Sequence, residues 1–232
     1  MNSEAKRYFK YLHLVREDIR EEFEQLGIHQ KVLRVCDFGC GSGISTFGLA
    51  LEIAGAECIG IDLFGEELTP KKLRQYVGAV RSQCQNPQFP ENLFPADLCR
   101  LVAEKRSPQF IEGNIVGNQN LPRNIDLAYC KKLLVNLKGK QAKDRLSGED
   151  RLLIGLKHIT HSIRPSGLMC VIEYDTDFRL AKYLEKSDLR ILRRTHIKRR
   201  EIRSRGRTNA ISTFALYLCQ RIEKRATHPI QP

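Results

Sequence analysis

The sequence predicts an α/β protein: a doubly wound, mostly parallel seven-stranded sheet with an antiparallel strand near the C-terminal edge, plus an N-terminal helix. Three observations predict it. Short apolar segments alternate with segments of helical spacing, the pattern of βαβ units and a parallel sheet. The first apolar segment runs through three alternating glycines straight into a helix. The last two apolar segments follow each other around Arg205-Gly206, a hairpin that breaks the alternation. At 232 residues, one domain spanning 1–232 is expected.

The elements follow in order. Residues 3–26 place Tyr8, Tyr11, Leu12, Val15, Ile19 and Phe23 on one helical stripe, which Gly27 stops, giving an N-terminal helical region over 1–27. Such a helix either packs on the core or closes over a ligand as a lid. Lys31–Asp37 reads as the first strand, 44–54 as a helix, and Glu57–Asp62 as the second strand. A helix is expected over about 66–84. The stretch 85–108, with prolines at 87, 90, 95 and 108, reads as an insertion with a short helix near 96–105. It should lie at the amino ends of the strands. Gln109–Gly113 and Asn124–Cys130 give strands three and four, followed by a polar, Lys-rich segment over 131–147. A helix from about 148 to 163 ends where Arg164-Pro-Ser-Gly167 forbids continuation. Leu168–Glu173 is the fifth strand, a short helix covers 178–186, and a terminal strand pair occupies 189–221.

Composition narrows the function classes. Hydrophobic residues reach 41%, enough for a core. No run of about 18 apolar residues offers a membrane span, and the start of the chain lacks the apolar core of a secretory signal. The eight cysteines stand at 36, 40, 58, 84, 99, 130, 170 and 219 with no CxxC pair, and several lie inside apolar runs. They read as reduced, buried thiols in a cytoplasmic setting, with no metal site. A net charge of +12 favours anionic partners: nucleic acid, an acidic membrane surface, or a phosphorylated or carboxylated small molecule.

The chemistry concentrates at Asp37-Phe38-Gly39-Cys40-Gly41-Ser42-Gly43. Glycine lets a backbone turn tightly and lets a ligand approach it closely. The helix that follows offers unpaired N–H groups. Ligand crevices of open α/β sheets lie beyond the carboxyl ends of strands. Two alternatives fail on spacing. A dinucleotide fingerprint needs glycine at 44 or 46, where Ile44 and Thr46 stand. A P-loop from Gly43 through Gly48 would continue with Lys-Ser/Thr, but Leu49-Ala50 follows. Asp62 ends the second strand, where a carboxylate can accept from both hydroxyls of a ribose.

The turn resembles the nucleotide-binding motif of class I (Rossmann-like) S-adenosylmethionine-dependent methyltransferases. The resemblance continues in order. Gly60-Ile-Asp62 resembles the acidic ribose-binding strand end. Glu112-Gly-Asn-Ile115 resembles the turn whose side chain meets the adenine amino group. Ile125–Cys130 resembles the fourth strand, and Arg164–Glu173 the "LKPGG" turn and fifth strand. It covers about residues 30–175. It implies the fold, S-adenosylmethionine (SAM) as cofactor, methyltransferase activity, and a cofactor site of Asp37, Gly39, Cys40, Gly41, Gly43, Asp62, Leu63, Asn114, Ile115 and Cys130. The family usually carries Asp where Asn114 stands; an Asn oxygen can still accept from an amino group.

The resemblance supplies no universal catalytic residue, because displacement from a sulfonium needs a base only when the nucleophile must lose a proton. Motifs for particular acceptors are missing. Strand four ends Tyr129-Cys130-Lys131-Lys132 rather than Asn/Asp-Pro-Pro-aromatic, and there is no Pro-Cys dipeptide. Charge placement remains. Lys131, Lys132, Lys138, Lys140, Lys143 and Arg145 follow strand four, and Lys198, Arg199, Arg200, Arg203, Arg205 and Arg207 border the final hairpin. Together they predict a basic rim for an anionic small-molecule acceptor, with Lys131, Lys132, Arg203 and Arg205 as its contacts, unless the run is merely solvated. Glu173, Tyr174, Asp175 and Asp177 lie beyond strand five, where they either orient an acceptor or cap the next helix. An RNA methyltransferase and a noncatalytic SAM-binding regulator are the alternatives. The charge supports RNA, and the 7% aromatic content weighs against it.

Overall fold

The computed structural model describes residues 3–28, 32–53, 55–63, 108–138, 146–175, 179–201 and 210–222. The expected helices over 66–84 and 96–105 and nearly all of the 85–108 insertion lie outside the described residues, as do Arg203, Arg205 and Arg207.

The strands are β1 (Arg34–Phe38), β2 (Glu57–Asp62), β3 (Gln109–Glu112), β4 (Ile125–Lys131), β5 (Ile163–Tyr174), β6 (Leu189–Glu201) and β7 (Ala210–Arg221). They form one sheet in the order β3-β2-β1-β4-β5-β7-β6. The pairs from β3 across to β5 are parallel, and β7 runs antiparallel to both β5 and β6. The expected fold class is therefore the observed one, with the antiparallel strand second from the edge. The described helices are α1 (Ser3–Leu26), α2 (Ile44–Glu52), α3 (Leu134–Lys138), α4 (Gly148–Ser162) and α5 (Leu180–Glu185).

Residue alternation along the strands builds two cores. Phe38, Ile61, Cys130, Val171 and Tyr217 face one side, where Leu152 and Leu156 of α4 and Leu184 of α5 cover them. Val35, Cys58, Tyr129, Cys170 and Leu216 face the other, under Ile19, Phe23 and Leu26 of α1 and Leu49 of α2. Central strands buried on both faces read as continuous apolar runs, as in β5, where residues 167–173 are all buried. α1 is thus a structural layer, with Leu12 2% and Ile19 0% exposed.

Three local outcomes differ from the sequence expectation. β5 begins at Ile163, five residues early. Pairing passes from Ile125↔Ile163 to Leu127↔Leu168, so Arg164-Pro165-Ser166-Gly167 bulges out of a strand rather than separating helix from strand. The Lys-rich segment contains α3, because Leu133, Leu134 and Leu137 bury themselves beside β4. Finally, α5 has Arg179 at its N-cap with no side-chain cap, and Asp177 lies outside the described residues. The carboxylate of Glu173 instead accepts from Leu134 N at the start of α3 (2.5 Å).

Candidate functional site

β1 delivers the glycine turn to the carboxyl edge of the sheet. Gly39, Gly41 and Gly43 have φ of 76°, 50° and 76°, a left-handed region open to glycine and disfavoured for residues with a Cβ. Gly39 N and Cys40 N both donate to Ile61 O (2.8 and 3.0 Å), which ties the turn to β2. A Cβ on Gly39 would stand 2.8 Å from Leu133 Cδ1, whereas one on Gly41 would meet nothing within 4 Å. The turn is packed on the β4 side and open at its crest.

Two carboxylates shape it. Asp37 is 2% exposed and accepts from Ser45 Oγ (2.6 Å) and Thr46 Oγ1 (2.7 Å), locking the first turn of α2 to β1. Burial pushes its carboxyl up to about 6, against the pull of those two hydroxyls. Asp62 accepts from Gly41 N through Oδ2 (2.6 Å) and from Leu63 N through Oδ1 (2.7 Å). Each carboxylate oxygen has two lone pairs, so one on each remains to receive hydroxyls.

A cavity of about 660 Å³ opens here, lined by Gly39, Asp62, Leu63, Gly113–Gly117, Lys131–Leu133, Asn136, Leu137, Leu146 and Arg151. Its size falls within the range of roughly 300–1,000 Å³ typical of small-ligand sites. Of the expected cofactor residues, Gly39, Asp62, Leu63, Asn114 and Ile115 line it. Gly41 carries Asp62 on its backbone. Asp37 and Cys40 (4% exposed) sit beneath the turn, and Cys130 (0%) lies in the core. Gly43 is the N-cap of α2. Asn114 Oδ1 accepts from Gly117 N (2.8 Å), holding its turn closed with one lone pair to spare.

The expected basic rim divides. Lys131 lines the cavity and donates to Glu22 Oε1 (2.8 Å) and Asp18 Oδ2 (3.2 Å) of α1. Lys132 lines it with φ of 55°, its ammonium 5.0 and 5.1 Å from the ring centres of Tyr174 and Phe214. Arg199 joins Glu21 and Glu22, and Lys198 is exposed. Asp175 lies 3.4 Å from His196 Nε2.

Sequence reasoning missed two features. Arg151 is 4% exposed and on the cavity wall, and Glu22 is 0% exposed and bound by Lys131, Arg199 and Tyr129. Both stand among polar neighbours on helices, with no local signal of burial. Among the described residues no group of three or more His, Cys, Asp or Glu could hold a metal ion, and no helix is long and apolar enough to cross a membrane.

No protein-family model and no curated protein matches the chain in sequence. Solved structures do match in fold. A SAM-dependent methyltransferase from Methanosarcina mazei superposes with a TM-score of 0.54 at 13% identity, over 84% of this chain and 95% of that one. The mitomycin 7-O-methyltransferase MmcR gives 0.52 at 14% identity, over 82% of this chain and 49% of that one. The [4+2]-cyclase SpnF gives 0.53 at 13% identity, over 93% and 81%. At such identities the likeness is one of fold, and a cyclase beside methyltransferases illustrates that reaction type resides in the site rather than in the fold.

Proposed function

We propose that this chain is a SAM-dependent methyltransferase acting on a small, anionic acceptor in a reducing, cytoplasmic setting. The observation that carries the reading is the convergence of Gly39, Asp62 and Asn114, from three adjacent strands, on one cavity of about 660 Å³. The residues fit the cofactor. Asp62 keeps lone pairs for two ribose hydroxyls, Asn114 Oδ1 keeps one for the adenine amino group, and the crest at Gly41 has room above it. Leu63, Ile115 and Leu133 give the cavity apolar wall for the base.

When bound, SAM supplies an electrophilic methyl group on a sulfonium. The chain's own work is to align the reactants and exclude water. Beside Lys131, Lys132 and Arg151 also line the cavity against the single carboxylate of Asp62, and this surplus of positive charge supports an anionic acceptor. The free, buried thiols of Cys36, Cys40, Cys58, Cys130, Cys170 and Cys219 support a reducing compartment.

Calorimetry with SAM and S-adenosylhomocysteine tests the reading. Wild-type protein binds both, and Asp62→Ala weakens both at least about tenfold, the loss of charge-assisted hydrogen bonds of roughly 1.5–3 kcal/mol each. Folded wild-type protein that binds neither refutes it. Transfer of labelled methyl to a panel of carboxylated and phosphorylated small molecules then identifies the acceptor class. One observation favours RNA as acceptor instead: β6 forms the sheet edge with Arg190, Arg193, Arg194 and Lys198 exposed. Retention on single-stranded RNA with a steep salt dependence, together with methyl transfer to it, would select that reading.

A further inference from the structure

We propose that Lys131 binds the carboxylate of the ligand's amino-acid tail, and that Glu22 and Asp18 of α1 hold it in position to do so. This rests on the nucleoside site proposed above and extends it to the far end of the cavity. The strand order β3-β2-β1-β4 lays the ligand out across the carboxyl edge. The base lies at Asn114, after β3, and the sugar at Asp62, on β2. The next two strands offer Gly39 and Lys131, lateral neighbours because Asp37 pairs with Tyr129 and each lies two residues further along. Adjacent strands stand about 4.8 Å apart, so three spacings cover about 14 Å, the reach of an extended nucleoside bearing a four-carbon amino-acid tail. The tail therefore ends beside Lys131. The other two cavity cations lie off this end. Lys132 lies over Tyr174 and Phe214. Arg151 is one helical turn before Gly155, whose Cβ position is 3.6 Å from Ile115 at the nucleobase end.

Lys131 is prepared for this role. An ammonium has three N–H groups. Among the described residues two of them go to Glu22 Oε1 (2.8 Å) and Asp18 Oδ2 (3.2 Å), which leaves the third for the cavity that Lys131 lines. Glu22, wholly buried, also receives Tyr129 OH (2.5 Å) and Arg199 Nη1 (2.5 Å). Arg199 thus balances Glu22. The side chains of Asp18 and Glu21 are 38% and 50% exposed, so water screens them and the lysine charge persists at the cavity wall. Anchoring also removes in advance the rotamer freedom that a ligand would otherwise have to freeze. Asp18 and Glu22 stand four residues apart on one face of α1, so the N-terminal helix, though part of the core, frames the ligand site.

The test is calorimetry with two probes: S-adenosylhomocysteine, which keeps the tail, and 5′-methylthioadenosine, which has no carboxylate. In Lys131→Met, affinity for S-adenosylhomocysteine falls about tenfold to a hundredfold, while that for 5′-methylthioadenosine stays within about twofold and reports a folded pocket. Lys131→Gln, which retains donors toward Asp18 and Glu22, gives the same selective loss, and Glu22→Gln narrows the ratio of the two affinities. Equal weakening of both probes in the Lys131 variants, or weakening of neither, overturns the proposal. A wild-type protein that binds neither probe overturns the functional reading and this inference with it. A wild type that binds both, with unselective variants, overturns this inference alone.

Discussion

Asp37 is the ionisable group whose replacement gives the most distinctive signature. Burial raises its carboxyl from 3.8 to about 6. Between those pH values the unfolded chain has released this proton and the native state still holds it. Stability therefore falls as pH rises through the interval and is fully reduced above 6. At about 1.36 kcal/mol per tenfold change in proton affinity, the contribution is about 3 kcal/mol at pH 7.5 and about half that at pH 5. Asp37→Asn removes the titration. Its amide oxygen still accepts from Ser45 or Thr46, and any hydrogen-bond loss is independent of pH. Urea unfolding of both proteins at pH 5 and pH 7.5 should therefore show the variant gaining about 1.5 kcal/mol on wild type between the two conditions. A constant difference, or one that moves the other way, would refute the claim that desolvation dominates at Asp37.

Other substitutions probe the frame of the site. Gly39→Ala places a side chain at φ 76° and 2.8 Å from Leu133 Cδ1. It should lose about 1–2 kcal/mol from the left-handed backbone alone, seen in thermal melts, and should also weaken S-adenosylhomocysteine because Leu133 must shift within the cavity wall; unchanged melting and affinity would contradict this. Arg199→Met strips Glu22 of a buried partner and should destabilise by about 3–5 kcal/mol. Urea unfolding checks it, and a loss under about 1 kcal/mol would mean that Lys131 and Tyr129 suffice to carry that charge.

The strands and the glycine turn were legible because their signals are local. A run such as Val35-Cys36 needs only its own apolarity, and Gly39, Gly41 and Gly43 report backbone angles at their own positions. The place of Asp62 on the cavity wall was legible because it stands at the end of a strand. What escaped depends on contacts remote in sequence. Glu22 reads as one more acid on an exposed helix face until Tyr129, Lys131 and Arg199 arrive from strands more than a hundred residues later. Arg151 sits in the first turn of α4, where the helix dipole disfavours a cation, and only the fold shows that it faces a cavity. The β5 bulge was missed because Pro165 and Gly167 carry the same punctuation whether they end an element or distort one. Chain order also places β6 before β7, and only backbone pairing reveals that β7 enters between β5 and β6.

That insertion makes two of the sheet's seven strands conditional on one late segment. β6 has thirteen residues and, among the described residues, β7 as its only strand partner, so during synthesis it waits with its backbone hydrogen bonds unmade until β7 emerges. Meanwhile β5, buried throughout residues 167–173, presents an open border to any extended peptide nearby. Truncation before Ala210 would remove one strand by sequence but two by structure, and would turn an interior strand into a template for aggregation. Solubility should therefore collapse at that boundary rather than decline gradually as residues are removed.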